Sequence, residues 1–310
     1  MKKESTLARL QRRSLLQRRE AREFYLFISP ALVGVFFFAF GPMIFSLLLS
    51  FYKYNPLSSP QFDGLANYQK LVHDPLFWQA LKVTAYYVAG SLPVVIIVSL
   101  AWALLLNQKV KGLAIWRAAY YTPAVITGVA VALLWMWIFN PRIGVINFFL
   151  LKFFGIEGPK WLVSKEWVIP AFIIMRIWTI GAPMIIFLAG LQSIPKQLYE
   201  AADIDGANRL QKFWNVTLPL LTPIIFFNLV IEIIGAFQIF TVGYVMTNGG
   251  PGHASLFYVL YLYRNGFEWF KMGYASALAW VLFLIVLFFT FLSIKSSPYW
   301  VYYGAEVKKR

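Results

Sequence analysis

One polar interval between two long apolar segments carries the residues that invite a chemical interpretation. It contains the run Glu200-Ala201-Ala202, followed by Gly206. A proline at the start of the interval suits the first turn of a helix, where its missing N–H costs little. Gly206 permits a sharp turn with positive φ. Because two adjacent alanines leave one helix face shallow, another protein can approach the backbone there, so the interval predicts a docking helix.

A second amphipathic segment completes the interval. Leu210, Phe213 and Trp214 lie on one side of it, and Leu218 and Pro219 then open the next apolar segment. This pattern predicts a short helix-turn-helix across a membrane surface. The alternative is an ordinary amphipathic loop helix at the lipid interface.

Three ionisable residues fall inside apolar segments: Lys82, Arg176 and Glu232. A charge within a membrane span is costly and usually faces a partner or a water-filled path. Lys82 lies within a turn of its segment's end, so its ammonium can reach the interface. Arg176 and Glu232 lie deeper, and they either pair with each other or line a cavity.

Enzymatic chemistry lacks its usual groups in this sequence. The chain has no cysteine, and its two histidines, His73 and His253, lie far apart in predicted loops. It contains no G-x-x-x-x-G-K-[ST] phosphate loop. An intramembrane enzyme would need converging catalytic carboxylates, a metal cluster or a Ser/His pair, and the sequence offers none.

The composition is that of a polytopic membrane protein. Hydrophobic residues make up 60% and charged residues 13% of the 310 residues, against about 45–50% and about 25% in soluble domains. The net charge of +15 does not point to nucleic acid, because the basic residues crowd beside apolar segments. There they act as orientation signals.

We predict an all-α protein with six membrane spans. A basic tail (1–23) precedes a membrane domain (24–294) that includes the polar interval (194–219), and a second tail (295–310) follows. The spans are predicted at residues 24–51, 80–106, 118–139, 167–191, 218–246 and 273–294.

The Lys and Arg counts in the connections predict the orientation. The two tails and alternate loops, including the polar interval, hold eighteen such residues, and the remaining loops hold eight. The positive-inside rule places the side with more Lys and Arg in the cytoplasm, so both termini and the polar interval are expected there. The basic N-terminal tail is typical of a segment that lies on anionic lipid headgroups.

The polar interval resembles the EAA loop of binding-protein-dependent ABC importer permeases. The family pattern is E-A-A-x-x-x-G with a later I-x-L-P, and the chain departs from it only at Val216, which replaces the isoleucine. The likeness extends from about Tyr25 onward and includes a T-G-G-G-P-like turn at Thr247–Pro251, where Asn248 replaces a glycine. The maltose-type and glycerol-phosphate-type permeases of carbohydrate importers are the most similar members.

This resemblance implies a type I ABC importer permease in a bacterial or archaeal cell membrane. The partners would be a second permease, two ATPase subunits that bind ATP and Mg²⁺, and an extracellular or periplasmic solute-binding protein. The chain itself would hold no cofactor and hydrolyse nothing. The residues expected to couple it to the ATPases are Glu200, Ala201, Ala202, Asp203, Gly206, Leu218 and Pro219.

A sugar path within the membrane would combine polar groups with aromatic rings. Asn228 lies one helical turn before Glu232 and shares its face. The candidates for this path are Arg176, Asn228, Glu232, Gln238 and Tyr244. The sequence leaves open a glycerol-phosphate substrate and, as a rival function, a self-sufficient secondary transporter driven by an ion gradient.

Overall fold

The computed structural model describes residues 2–108 and 111–302, with side chains described at residue 17 and from residue 19 onward. The regular secondary structure of this part of the chain is helical apart from one two-stranded hairpin, β1 (Tyr52–Lys53) and β2 (Gln61–Phe62). The helices are α1 (Lys2–Gly34), α2 (Gly41–Leu49), α3 (Ala66–Val72), α4 (Pro75–Leu106), α5 (Leu113–Val125), α6 (Gly128–Ile138), α7 (Val145–Phe154), α8 (Val168–Trp178), α9 (Gly181–Ser193), α10 (Lys196–Ile204), α11 (Arg209–Lys212), α12 (Leu218–Phe237), α13 (Thr241–Thr247), α14 (Tyr258–Tyr263) and α15 (Met272–Trp300). π-helical turns continue α1 into α2 (Val35–Phe40), α11 into α12 (Phe213–Thr217) and follow α14 (Arg264–Glu268).

Six membrane spans are present when each bent helix pair counts as one span. Four helical stretches are long and apolar enough to cross a membrane alone: 19–49, α4, 209–237 and α15. The pair α5 and α6 bends by 100°, and the pair α8 and α9 bends by 47°. The predicted fold class, an all-α polytopic protein with six spans, is therefore confirmed.

Three spans differ in shape from the continuous helices predicted. The third breaks at Ile126 and Thr127, two β-branched residues with extended backbone. The fourth breaks at Thr179 and Ile180. The fifth ends at Phe237, nine residues before the predicted end, and a short helix, α13, follows after a three-residue break. Uniform hydrophobicity hides such breaks, because extended and helical residues at membrane depth are equally apolar.

The predicted tails do not coincide with helix ends. The first helix runs through the predicted boundary at residues 23 and 24 without interruption. The last helix continues past residue 294 to Trp300, where Ser296 and Ser297 donate hydroxyl hydrogen bonds to backbone carbonyls three residues earlier. The basic residues Lys308, Lys309 and Arg310 lie outside the described residues.

The bundle has two distinct ends, between which α4 runs. At 32 residues and about 1.5 Å per residue, this helix links a hairpin end, which holds the β-hairpin, α3 and α14, to an EAA end, which holds residues 194–219. The larger buried cluster surrounds the first half of α4 and includes Phe172, Phe257 and Tyr258. A smaller cluster packs the last turn of α4 against α9 and the start of α12.

Polar side chains cross-link the helices at the hairpin end. Asp74 caps α4 by accepting from the Leu76 N–H at 2.9 Å. Its other oxygen accepts from the hydroxyls of Tyr274, at 2.7 Å, and Tyr261. Tyr258 donates its N–H to the Thr84 hydroxyl at 2.8 Å. One carboxylate therefore joins α4 to both α14 and α15.

Candidate coupling surface and intramembrane ion pair

The EAA run lies on α10, a nine-residue helix that begins directly after Pro195. Glu200, Ala201 and Asp203 are exposed, and Ala202 is half-buried. The Tyr199 hydroxyl bonds to the Thr217 hydroxyl at 2.9 Å, which fastens this helix to the turn before α12. Four of the residues predicted to couple, Glu200 to Asp203, thus lie on a helix that has no buried residue of its own.

Gly206 ends this helix with a left-handed turn. Its φ is +75°, which confirms the predicted positive φ. The Gly206 N–H donates to the Asp203 carbonyl at 3.1 Å, and the Ala207 N–H donates to the Ala202 carbonyl at 2.9 Å. No heavy atom outside the glycine's immediate neighbours lies within 4 Å of an added Cβ. A side chain here would therefore meet backbone strain and not a steric clash.

The return segment is fixed by a capping box. Asn208 accepts from the Gln211 N–H at 2.9 Å, and the Gln211 side chain accepts from the Asn208 N–H at 2.7 Å. This reciprocal arrangement satisfies two helix-end donors. Lys212 forms an ion pair with Asp203 on α10. Leu218 and Pro219 lie half-buried in the first turn of α12, so they set the helix's entry and do not lie on the exposed surface.

Apolar side chains are left exposed around this helix-turn-helix. Ile204 is 88% exposed. Leu198, Leu210 and Trp214 are also exposed. No described part of the chain covers them. We call the exposed residues of 196–214 the EAA surface, and its mixture of apolar and charged groups is typical of a protein interface.

Arg176 and Glu232 form an ion pair between α8 and α12. The Arg176 Nη2 lies 2.7 Å from Glu232 Oε2 and 2.9 Å from Oε1. Arg176 Nη1 also donates to the Thr179 hydroxyl at 2.9 Å. The Glu232 side chain is 10% exposed and that of Arg176 is 29% exposed. Of the two alternatives left open by the sequence, the structure thus shows direct pairing.

The other path candidates do not gather around this pair. Asn228 is buried one turn away and donates to the Ile224 carbonyl at 3.2 Å. Gln238 is exposed at the end of α12. Tyr244 lies on α13, where its ring packs 5.5 Å from Phe240. Of the five predicted residues, the structure therefore bonds Arg176 to Glu232, and the role of the other three stays a prediction.

Sequence reasoning missed an aromatic cavity of about 540 Å³ between α4, α5, α6 and α8. Trp135 and Trp178 meet there edge to face, with ring centroids 6.1 Å apart. The other aromatic rings that line it belong to Trp102, Trp116 and Tyr120. Trp116 and Tyr120 are four residues apart and share one helix face, which was the available signal. The contribution of α4 and α8 depends on tertiary packing.

The fold is that of a multi-pass helical membrane protein. The sequence matches the family of binding-protein-dependent transport system inner membrane components over residues 7–295. Since this match covers most of the chain, the protein belongs to that family.

Relatives of known or assigned function share nearly the whole chain. It is 45% identical over 287 residues to the probable ABC transporter permease YesP of Bacillus subtilis, covering 91% of this chain and 92% of the relative. It is 36% identical to the arabinooligosaccharide permease AraP of Bacillus subtilis, with 88% of each chain covered. The trehalose/maltose permease MalF of Thermococcus litoralis is 33% identical, with coverages of 91% and 96%.

A solved structure shares the fold. It is a chain of a bacterial alginate ABC transporter in complex with an alginate pentasaccharide-bound periplasmic protein. The TM-score is 0.79 at 25% sequence identity, and the match covers 90% of this chain and 95% of the other. The predicted type I ABC importer permease fold is confirmed.

Proposed function

We propose that this chain is a transmembrane permease subunit of an ATP-driven carbohydrate importer, coupled to ATPase subunits through the EAA surface. The observation that carries the coupling is the exposure of α10, whose Ile204 is 88% exposed while the turn at Gly206 and the Tyr199–Thr217 contact hold the helix in place. The substrate class is supported by relatives whose printed substrates are arabinooligosaccharides, trehalose and maltose.

In this proposal, α10 enters a groove on an ATPase subunit in the cytoplasm. Ala201 and Ala202 allow the close approach, and Glu200 makes polar contacts with the ATPase. Closure of two ATPases around ATP and Mg²⁺ then moves α10, and the movement reaches the bundle through α9 and α12. Both flank α10 in sequence, and they pack against each other and against α4 in the smaller buried cluster.

The proposed assembly includes a second permease and an external solute-binding protein in a bacterial or archaeal cell membrane. A complex with a periplasmic protein is described for the structurally similar alginate transporter. The carbohydrate would pass beside the Arg176–Glu232 pair, with the aromatic cavity supplying ring faces for sugar C–H groups. The pair satisfies both charges in the resting state, so substrate hydroxyls can exchange with its hydrogen bonds without exposing an unpaired charge.

Purification in mild detergent with mass spectrometry tests this function. An ATPase with a phosphate loop and a second six-span permease should co-purify in near-stoichiometric amounts. Uptake of an oligosaccharide into liposomes by this complex should then require both ATP and the binding protein. A chain that purifies alone and transports solute driven by an ion gradient would contradict the proposal and favour a secondary transporter.

A further inference from the structure

A second cavity, of about 430 Å³, lies at the hairpin end, remote in sequence from every residue assigned above. The β-hairpin and α3 form one wall, and the segment that leads into α15 forms the other. Lys53, Lys70 and Lys271 line it together with Tyr54, Gln61 and Phe270. We call this cavity the lysine pocket.

The charge of the lysine pocket is uncompensated. In the described part of the chain, no carboxylate lies within 4.0 Å of these three ammonium groups, and none lines the cavity. Lys70 Nζ lies 5.1 Å from the centre of the Tyr274 ring, and Lys271 Nζ lies 5.2 Å from that of Trp269. Aromatic faces thus hold two cations without neutralising them, so the pocket favours an anion.

The walls of the pocket are rigidly joined. The Gly273 N–H donates to the Tyr54 carbonyl at 3.2 Å. A Cβ at Gly273 would lie 2.0 Å from the Tyr52 carbonyl oxygen, so only glycine permits this approach of α15 to the hairpin. Asn67 donates to the Tyr52 carbonyl at 3.0 Å. The backbone from which the exposed lysines project is therefore set before any ligand binds, which lowers part of the entropic cost of binding.

Phe270 occupies a strained position on the same rim. Its φ is +54°, in the left-handed region that bulky residues rarely adopt. Its ring is half-exposed and lines the pocket beside Tyr54. Backbone strain of this kind often marks ligand-binding positions. Here it presents an aromatic surface next to the ammonium groups.

We propose that the lysine pocket binds an acidic saccharide, a sugar ring that bears a carboxylate. The carboxylate would accept charge-assisted hydrogen bonds from Lys70 and Lys271, and the ring would pack on Phe270 and Tyr54. The volume is within the range of about 300–1,000 Å³ usual for small-molecule sites, and exceeds what one acidic side chain of a docking protein fills. The site goes beyond the proposed transport path, with which it shares no lining residue.

Direct binding tests this site without ATP or transport. The full-length chain, in the complex in which it purifies, is placed in phosphatidylcholine nanodiscs and titrated calorimetrically with trigalacturonate. The methyl ester of the same trisaccharide is the neutral comparison. We expect the acid to bind at least about tenfold more tightly than the ester. We also expect added salt to weaken the binding of the acid, because salt screens charge-assisted hydrogen bonds.

Variants locate the site. The pair Lys70→Gln and Lys271→Gln should weaken trigalacturonate binding by about tenfold or more, since two charge-assisted bonds are lost. Lys70→Arg with Lys271→Arg should largely retain it. Lys165 lines a different cavity at the same end. Lys165→Gln should therefore leave trigalacturonate binding unchanged, and it controls for general surface charge.

Several results would overturn the proposal. Equal binding of the acid and its ester would show that the lysine pocket does not recognise the carboxylate. So would a loss of affinity in Lys165→Gln as large as that in the Lys70→Gln, Lys271→Gln pair. If trigalacturonate does not bind, and native mass spectrometry instead finds phosphatidylglycerol retained through Lys70 and Lys271, the pocket is a lipid-phosphate site. Lysine-dependent binding of an acidic protein surface without saccharide binding would equally contradict it. Failure of ATP-driven uptake bears only on the proposed function.

Discussion

The two ends of the bundle are built in opposite ways. At the hairpin end, Asp74 accepts hydrogen bonds from two buried tyrosines, and Tyr258 bridges α14 to α4 and α15. At the EAA end, α10 is held by one hydroxyl contact, between Tyr199 and Thr217, and by the exposed Lys212–Asp203 ion pair. Both ends have short helices, yet α14 at the hairpin end has three buried residues and α10 has none.

This difference indicates a structural role for the hairpin end and a contact surface at the EAA end. A nine-residue helix is marginal on its own, so we expect α10 to depend on the turn at Gly206 and on the contacts of Tyr199 and Asp203. In the proposed coupling, the interlocked hairpin end would keep the spans in register while the EAA end moves. We therefore expect changes at the hairpin end to reduce folding stability, and changes on the EAA surface to reduce coupling with little effect on stability.

The largest effect is expected between the two ends, at the ion pair. Arg176→Leu or Glu232→Leu alone should lower the free energy of unfolding by about 3–5 kcal/mol, because each leaves a buried charge without its partner. The double variant should recover most of that loss, since two apolar side chains can pack together. Thermal unfolding in detergent measures all three. Additive losses in the double variant would show that the charges do not depend on each other.

Asp74→Ala should have the next largest effect. It removes the cap of α4 and leaves the hydroxyls of Tyr261 and Tyr274 without their acceptor. Loss of a cap costs about 0.5–2 kcal/mol and each unsatisfied buried donor about 1–3 kcal/mol. Since water can hydrate the two hydroxyls where the side chain is truncated, we expect a total loss near the low end of the sum, about 2.5–4 kcal/mol. Asp63→Ala, at an exposed position of the same end, is the control. Equal melting temperatures for the two variants would contradict the interlocked picture.

Acid should loosen the hairpin end through the same carboxylate. Burial acts to raise the pKa of Asp74, but hydrogen bonds from Tyr261, Tyr274 and the backbone outweigh it, so the pKa lies below its usual value. Burial and the bond to Asp74 raise the pKa of Tyr261 to about 12, which keeps the phenol a donor. The stabilisation by Asp74 is thus present above the usual aspartate pKa of about 3.9.

That stabilisation is lost as the pH falls through the lowered pKa of the folded state, where the unfolded chain binds more protons. Melting temperatures of the wild type should therefore fall more steeply below about pH 4 than those of Asp74→Asn, which cannot titrate. Parallel pH profiles of the two proteins would show that protonation of Asp74 does not cause the loss of stability in acid.

Matched glycines at the two ends give a smaller and more selective effect. Gly206 and Gly64 have φ values of +75° and +58°, and neither has a heavy atom within 4 Å of an added Cβ. Valine at either position should cost about 1–2 kcal/mol of backbone strain. Only Gly206→Val should reduce ATPase stimulation by the binding protein. Equal loss of stimulation in Gly64→Val would show that strain anywhere in the chain impairs coupling.

Local signals in the sequence predicted much of the EAA end. Gly206 indicated the turn, a proline indicated the helix start, and the spacing of the motif indicated the exposed helix. The number of spans followed from hydropathy. The breaks at Ile126–Thr127 and after Phe237 were missed, because both lie within long apolar segments and no charge marks either position.

Features assembled from distant segments were beyond sequence reasoning. The lysine pocket joins Lys53 and Lys70 to Lys271, some 200 positions later. The bonds from Tyr261 and Tyr274 to Asp74 span nearly as much of the chain. The ion pair was foreseen as one alternative because a buried charge needs a partner, yet only the packing of both α8 and α12 against α4 decides that Arg176 and Glu232 meet.

Cysteine cross-linking tests the central claim most directly, since the chain has no native cysteine. Ile204→Cys on α10 and Leu57→Cys at the hairpin end replace side chains of similar exposure, 88% and 85%. In the purified complex, a short thiol-to-amine cross-linker should join Ile204→Cys to the ATPase subunit, with a yield that changes on ATP binding, and Leu57→Cys should give no such product. An ATPase cross-link from Leu57→Cys, or none from Ile204→Cys in a complex that still transports, would contradict the assignment of the EAA surface.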